Sequence, residues 1–298
     1  MPSSQAKFLH PISRLIQLGL GTARKSYVKQ REAGDRLAKF MPMPKNVSFI
    51  NSNLRGLPCL WAVPKEPVKD SIIYYLHGGG YVSGSLTMYK PLIAQLAAAT
   101  GLRVFALGYR LAPEHPYPAA LDDAMLGFEH FLNAGVDARS LVIAGDSAGG
   151  GLLIALSQRI QKKCYLQPAA LVCLSPWTDL SMSGGTIQSM KAYDPVLTEE
   201  WLRGAANAYL AGTDPKTPGA SPLFGKMGGL PPMLIQVGND EVLRDDALRM
   251  DAVATRAGVN VQLEVWPEMV HGWHMMGTWL PETVRAFKHI SDFIHQYV

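Results

Sequence analysis

The chain has 298 residues, of which 48% are hydrophobic and 17% are charged, so it can bury a large core and is not an intrinsically disordered protein. Its 28 basic and 24 acidic residues leave a net charge of +4, which is too weakly basic to indicate a nucleic-acid partner. No run of about 18 apolar residues is present to predict a transmembrane helix, and no signal peptide is expected.

The three cysteines argue against both a disulfide framework and a zinc site. Cys59, Cys164 and Cys173 are odd in number, and none of them forms a Cys-x-x-Cys pair. No His-x-x-x-His pair or carboxylate cluster has metal-ligand spacing either. We therefore expect no metal or cofactor, and we expect a reducing, cytoplasmic location.

Residues 1 to about 45 form a basic arm in which apolar residues recur at helical spacing. One interpretation is an anchor on a membrane surface, and the other is a pair of helices that pack on the body of the protein. The sequence favours packing, because glycines interrupt the amphipathic pattern. The apolar positions are Leu9, Ile12, Ile16 and Leu20, the glycines are Gly19, Gly21 and Gly34, and the basic residues include Arg24 and Lys25.

Strands and helices alternate through most of the remaining chain. This order predicts a single α/β domain over residues 1–298, with a mainly parallel sheet covered by helices on both faces and an antiparallel edge formed by the first two strands, which a turn at 51–53 would join. The predicted strands are 47–50, 57–63, 71–76, 103–107, 141–144, 169–175, 233–237 and 259–266. The predicted helices include 86–99, 119–132, one after residue 147, one opening at Thr198, one through 248–254, and 281–297.

The alternation breaks between about residues 177 and 210, where apolar residues lack a clear period. An insertion of this kind is typical of a cap that covers a pocket. We therefore expect a helical cap formed by about 1–45 and about 177–210.

A serine between glycines occupies a predicted strand-to-helix turn. Ser147 follows the apolar run 141–144 and precedes an apolar helix, which is the context of a nucleophile elbow. Gly145 and Gly149 flank it, because a Cβ at either position would clash where strand and helix come close. If the pentapeptide stood alone, a plain glycine-rich turn would be the favoured interpretation.

A second glycine-rich loop follows the strand 71–76. Gly78, Gly79 and Gly80 leave backbone N–H groups uncovered, and such groups can donate to a developing negative charge. Together with the N–H of Ala148 they are our candidate oxyanion hole.

An acid and a base follow later strands of the same sheet. Asp240 comes directly after the strand 233–237, whereas capping of the next helix accounts for Asp245 and Asp246. His271 follows the last strand. Ser147, Asp240 and His271 thus stand in the order nucleophile, acid, histidine, and this order indicates acyl transfer to water.

Four segments carry a resemblance to the bacterial hormone-sensitive lipase family of esterases, within the α/β-hydrolases. They are His77-Gly78-Gly79-Gly80, Tyr109-Arg110-Leu111-Ala112-Pro113-Glu114, Gly145-Asp146-Ser147-Ala148-Gly149-Gly150 and Met269-Val270-His271-Gly272-Trp273. The family pattern selects His271 over His274 as the catalytic histidine. Where the family often has Asp-Pro-Leu-Arg-Asp, this chain has Asp240-Glu241-Val242-Leu243-Arg244-Asp245. The resemblance implies short- to medium-chain acyl esters as substrates, a helical cap and a homodimer.

The main prediction is a serine carboxylesterase that acts on small esters through an acyl-enzyme. Two alternatives stay open. The same triad would serve an amidase or deacetylase, and the scaffold also carries ligand receptors such as the plant gibberellin receptors, in which the triad histidine is lost. The presence of His271 favours an enzyme.

Overall fold

The computed structural model describes residues 2–20 and 26–298. Gly21, Arg24 and Lys25 of the predicted basic arm lie outside the described residues. The strands are β1 (Val47–Leu54), β2 (Leu57–Pro64), β3 (Ile72–Leu76), β4 (Arg103–Leu107), β5 (Leu141–Asp146), β6 (Ala170–Leu174), β7 (Met233–Gly238) and β8 (Val261–Trp266). The α-helices are α1 (Ala6–Leu20), α2 (Tyr27–Ala38), α3 (Leu86–Thr100), α4 (Ala119–Asn133), α5 (Ala148–Lys162), α6 (Thr186–Ser189), α7 (Glu199–Leu210), α8 (Arg244–Arg256) and α9 (Pro281–Ile294).

These strands form one eight-stranded sheet in the order β1-β2-β4-β3-β5-β6-β7-β8. β2 runs antiparallel to both β1 and β4, and every other neighbouring pair is parallel. The predicted α/β-hydrolase architecture is confirmed, including the antiparallel edge.

The turn between the first two strands differs from the prediction. The polar residues at 51–53 belong to β1 and pair with residues 58–60 of β2, and the chain reverses at Arg55 and Gly56 instead. Both turn residues have positive φ, 50° and 94°, which is the geometry of a two-residue hairpin turn. The polar side chains fit because they lie on the exposed edge strand.

The strand before Ser147 shows why the sheet is buried on both sides. Leu141 and Ile143 point to a core that also holds residues of α4 and α5, whereas Val142 and Ala144 point to a core with residues of α3 and α9. All four are at most 1% exposed. Successive side chains of a strand alternate between its faces, so a strand covered on both faces reads as a continuous apolar run.

The N-terminal helices lie against the rest of the protein. On α1, Leu9 is fully buried and belongs to a cluster with Trp266 and Met269. On α2, the side-chain oxygen of Gln30 accepts a hydrogen bond from the indole N–H of Trp201 on α7, at 3.1 Å. α7 begins after Thr198, whose hydroxyl caps it by accepting from the N–H of Trp201, as predicted.

Candidate active site

Ser147 sits in a strained turn between β5 and α5. Its backbone angles are φ 51° and ψ −120°, which place a residue with a side chain in a region that L-residues rarely adopt. The turn closes on the end of β3, since a Cβ at Gly149 would lie 2.0 Å from the carbonyl oxygen of Leu76. The glycine therefore allows the close approach that holds the Ser147 hydroxyl at the carboxyl end of the sheet.

His271 reaches the serine from the loop after β8. Its Nε2 lies 3.0 Å from the Ser147 hydroxyl oxygen. Both residues are buried, at 9% and 7% exposed. The structure thus brings together the serine and histidine that the sequence selected, although they are 124 positions apart.

The carboxylate beside this histidine is Glu241, one position after Asp240, which the sequence analysis selected. Oε2 of Glu241 lies 2.9 Å from Nδ1 of His271. Its other oxygen, Oε1, accepts from the Ser175 hydroxyl and from the Gly238 N–H, each at 2.6 Å. Glu241 is fully buried. Its hydrogen bonds leave it one orientation, with Oε2 directed at the imidazole.

Asp240 points away from the site because the chain turns directly after β7. Its backbone N–H donates to the Met269 carbonyl at 3.1 Å, and its side chain lies 3.1 Å from Nε2 of His10 on α1. A weak signal in the sequence separates the two acids. Glu241 precedes the apolar pair Val242 and Leu243, both of which are buried, whereas Asp240 follows a polar asparagine.

The surroundings of His271 favour its charged form despite burial. Burial lowers the pKa of the imidazole, but the hydrogen bond to Glu241 and the charge of that carboxylate raise it, and the net pKa lies above the usual 6.5. His274 is different, since burial lowers its pKa to about 3 and its Nε2 bonds the amide oxygen of Gln236 at 3.0 Å. His274 is therefore a neutral structural histidine at physiological pH.

The glycine loop after β3 lies beside the serine, and its first glycine is not a free donor. The Gly78 N–H donates to Oδ1 of Asp146 at 2.8 Å, so Gly78 is removed from the predicted oxyanion donors. In the described residues, the N–H groups of Gly79, Gly80 and Ala148 have no hydrogen-bond partner. These three remain candidates to bind an oxyanion.

The side chain of Asp146 holds the glycine loop against the turn at Ser147. Besides the Gly78 N–H, it accepts hydrogen bonds from the hydroxyls of Tyr75 at 2.6 Å and Tyr89 at 2.9 Å. Burial raises the pKa of its carboxyl group, while these donors lower it. Since Asp146 directly precedes Ser147, its side chain joins the two backbone segments from which the candidate donors come.

An apolar cavity of about 160 Å³ opens above Ser147 and His271. Its walls come from α1, α2, α3, the segment before α7, α7 itself and the loop after His271. The apolar lining residues are Leu37, Met41, Met88, Tyr89, Val196, Leu197, Trp201, Met275 and Met276. A hydrocarbon chain would fit this lining.

Neither metal ligands nor membrane spans are found where the structure describes the chain. Over residues 2–20 and 26–298, no group of three or more His, Cys, Asp or Glu residues is placed to hold a metal ion. No helix in these ranges is long and apolar enough to cross a bilayer.

Comparison with known proteins gives one consistent result. A family model described as "alpha/beta hydrolase fold" matches residues 73–275. An acetyl-hydrolase of Streptomyces hygroscopicus is 45% identical over 234 residues, which are 78% of each chain. The crystal structure of an esterase from the bacterial hormone-sensitive lipase family superposes with a TM-score of 0.93 at 35% identity and covers 100% of this chain and 99% of its own. EstE5, solved after soaking with p-nitrophenyl butyrate, has a TM-score of 0.93 at 33% identity, with 99% of both chains covered.

Proposed function

Because the chain belongs to the bacterial hormone-sensitive lipase family of α/β-hydrolases and is a serine carboxylesterase, we propose that Ser147, His271 and Glu241 are its catalytic triad. The observation that carries this proposal is the continuous line of hydrogen bonds from the Glu241 carboxylate through the imidazole to the serine hydroxyl. An ionised carboxylate only accepts, so it fixes the imidazole proton on Nδ1 and leaves Nε2 free to accept from serine.

In the acylation step, the Ser147 oxygen attacks the ester carbonyl carbon while Nε2 of His271 takes the hydroxyl proton. The carbonyl oxygen becomes an oxyanion, which the N–H groups of Gly79, Gly80 and Ala148 bind. Each such donor contributes about 3–4 kcal/mol to lowering the barrier. When the tetrahedral intermediate collapses, the imidazolium returns its proton to the leaving alkoxide, and the acyl group stays on the serine.

Deacylation repeats these steps with water as the nucleophile. Nε2 takes a proton from the water as its oxygen attacks the acyl carbon, and the imidazolium then protonates the departing Ser147 oxygen. The carboxylic acid is released and the serine hydroxyl is restored. Throughout, Glu241 stabilises the imidazolium without itself taking a proton.

The cavity supports short- to medium-chain, uncharged acyl groups as substrates. Its volume of about 160 Å³ and its apolar walls suit a few methylene groups, and a charged acyl chain would lose its hydration there. We further propose that residues of about 1–45 and about 177–210 act together as a cap, since both segments contribute walls to this cavity.

The test is hydrolysis of p-nitrophenyl butyrate by the wild-type protein and by Ser147→Ala. We expect kcat to fall by more than about 10⁴-fold in the variant, because the nucleophile is lost while the fold is kept. A fluorophosphonate probe should label the wild type and not the variant. Retention of hydrolysis or labelling in Ser147→Ala contradicts the proposal, and a wild type that binds the ester without turning it over indicates a receptor.

A matched pair of butyryl substrates, one ester and one anilide, separates an esterase from an amidase. We expect the ester to be preferred, since the proteins to which this chain is similar include an esterase and an acetyl-hydrolase. A kcat/KM for the anilide equal to that for the ester would favour the amidase alternative.

The proposal also includes a cytoplasmic location and a homodimer. The unpaired thiols of Cys59, Cys164 and Cys173 support the location. The family resemblance supports the dimer, as does the outer edge of β8, which bonds no further strand among the described residues. Cell fractionation tests the first, and light scattering, with twice 32.5 kDa expected, tests the second.

A further inference from the structure

A buried carboxylate outside the triad connects the catalytic acid to the cavity wall. Asp194 lies in the segment before α7 and is 5% exposed. Its Oδ1 accepts hydrogen bonds from the backbone N–H groups of Val196 at 2.9 Å and Leu197 at 3.1 Å. Its Oδ2 accepts from the N–H of Val242 at 3.0 Å. One side chain thus bonds two segments that are 48 positions apart.

Both segments matter to the reaction. Val242 directly follows Glu241, so the bond at its N–H holds the peptide next to the catalytic acid. Val196 and Leu197 line the cavity that faces Ser147 and His271. A shift of Asp194 would therefore move both Glu241 and the cavity wall at Val196 and Leu197.

The bonding pattern favours an ionised Asp194. Within residues 2–20 and 26–298, the hydrogen-bond partners of its side chain are all N–H donors, and a protonated carboxyl group would need an acceptor for its own O–H. Burial and the charge of Glu241 raise the pKa of this carboxyl group above its usual value, although the charge of His271 and the backbone donors lower it. Hydrogen bonds from backbone N–H groups favour the charged form of a buried carboxylate.

Acidic groups from several elements act on the imidazole of His271 through their charge. Glu241 comes from the loop after β7, Asp146 from the end of β5 and Asp194 from the segment before α7. The neutral His274 lies in the same loop as His271. The three carboxylates each raise the pKa of His271, and Glu241 has the largest effect.

We propose that Asp194 is a positioning residue, which fixes the catalytic acid relative to the wall of the acyl cavity and stabilises the imidazolium form of His271 from a distance. This inference rests on the proposed function. It assigns to one carboxylate two effects that can be measured separately, a geometric effect on the wall and an electrostatic effect on the histidine.

The first test variant is Asp194→Asn, which keeps the shape and removes the charge. Its single side-chain oxygen can serve either Val242 or the pair at 196–197, and its NH₂ group then faces an N–H donor on the other side. We expect kcat/KM for p-nitrophenyl butyrate to fall by about 10- to 100-fold, as small misplacements of catalytic groups do. The acidic limb of the kcat/KM profile should move to lower pH by about half a pH unit or more, because a negative charge near His271 is lost.

The second variant is Asp194→Glu, which keeps the charge and lengthens the side chain. We expect its acidic limb to stay at the wild-type pH, whereas its preference among acetate, butyrate and hexanoate esters should change because the wall at 196–197 moves. Asp240→Asn is the matched control, since it removes a carboxylate beside Glu241 whose side chain bonds His10 instead. It should change neither readout.

The outcomes separate this inference from the function on which it rests. An inactive wild type contradicts the proposed function. An active wild type combined with an unmoved limb in Asp194→Asn overturns the electrostatic part, even if activity and the melting temperature both fall. An unchanged chain-length preference in Asp194→Glu overturns the geometric part. Circular dichroism and fluorophosphonate labelling verify that each variant is folded.

Discussion

At the scale of single residues, two adjacent carboxylates lie in different surroundings. Glu241 is fully buried against His271, whereas Asp240 bonds His10 near the surface. In Glu241→Gln the amide oxygen accepts from the Ser175 hydroxyl and the Gly238 N–H, so the NH₂ group faces Nδ1 of His271 and favours the wrong tautomer. We expect kcat to fall by about 10³- to 10⁴-fold. The measurement is the hydrolysis of p-nitrophenyl butyrate under saturating substrate.

The neighbouring substitution Asp240→Asn is the control for this prediction. It should leave kcat within about twofold of the wild type, because the side chain is outside the hydrogen-bonded line to the serine. A larger loss in Asp240→Asn than in Glu241→Gln would restore Asp240 as the acid.

If His271 is the base, as we propose, it also sets the pH dependence of the reaction. Only the neutral imidazole can accept the serine proton, so kcat/KM falls as the pH drops through the pKa of His271. Burial lowers this pKa, but Glu241, Asp194 and Asp146 together raise it more, and the midpoint should lie above 6.5. A profile measured between pH 5 and 9 with a neutral ester checks this. A midpoint well below 6.5 would mean that burial outweighs the carboxylates.

At the scale of elements, the sequence predicts correctly those strands and helices whose burial is visible in their apolar pattern. The continuous apolar run of β5 and the flanking glycines of Ser147 placed strand, turn and helix correctly, because burial on both faces requires such a run. The N-cap of α7 was also predicted from Thr198, which supplies a local hydrogen bond.

Other features depend on contacts between distant segments, which the sequence pattern does not contain. The polar character of residues 51–53 predicts a turn, yet these residues pair with β2 and belong to strand β1. The choice between Asp240 and Glu241 depends on how the loop after β7 packs on Met269 and Ser175. A side chain's direction in a loop has no fixed period, unlike that in a strand or helix.

One element contact predicts a change in acyl preference. Trp201 on α7 lines the apolar cavity above Ser147. It also lines a surface groove of about 370 Å³ that includes Tyr27 and Glu114. Trp201→Ala should join the two spaces. We expect the kcat/KM ratio of octanoate to butyrate esters to rise at least about fivefold, since each methylene buried in a pocket contributes on the order of 1 kcal/mol.

The same substitution should reduce the free energy of unfolding, because the packing of the side chain and its hydrogen bond to Gln30 are lost. We expect a loss of about 2 kcal/mol, less than for a fully buried tryptophan, because Trp201 is partly exposed. Phe40→Ala is the control, since this side chain is 86% exposed and does not line the cavity. An unchanged octanoate-to-butyrate ratio in Trp201→Ala would show that the tryptophan does not limit chain length.

At the scale of the whole molecule, a buried carboxylate joins the segment after β6 to α8, the helix that follows β7. Asp246 on α8 is 1% exposed, and its Oδ1 accepts from the N–H groups of Thr178 at 2.8 Å and Asp179 at 2.9 Å. Its Oδ2 has no hydrogen-bond partner within the described chain. Burial and the nearby charge of Asp179 raise the pKa of Asp246 to about 7, although the two N–H groups lower it.

This raised pKa makes the stability of the protein depend on pH. In the unfolded chain an aspartate has a pKa of about 3.9, so between about pH 4 and 7 the folded state binds more protons than the unfolded state. The contribution of Asp246 to the free energy of unfolding therefore falls as the pH rises through this window, by about 1.4 kcal/mol per pH unit. Above about pH 7 the charge is present in both states, and the contribution is constant.

Asp246→Asn removes this titration and keeps an oxygen for the N–H groups of Thr178 and Asp179. The free energy of unfolding of the variant minus that of the wild type should be larger at pH 8 than at pH 5.5, by about 2 kcal/mol. The reason is that the wild type loses stability between pH 5.5 and about pH 7, a window of about 1.5 pH units. Urea unfolding at the two pH values measures the difference. Asp292→Asn, at an exposed position of the C-terminal helix α9, controls for the loss of one negative charge. A relative stability of Asp246→Asn that is equal at both pH values would show that the buried carboxylate is ionised at both, held by its backbone donors.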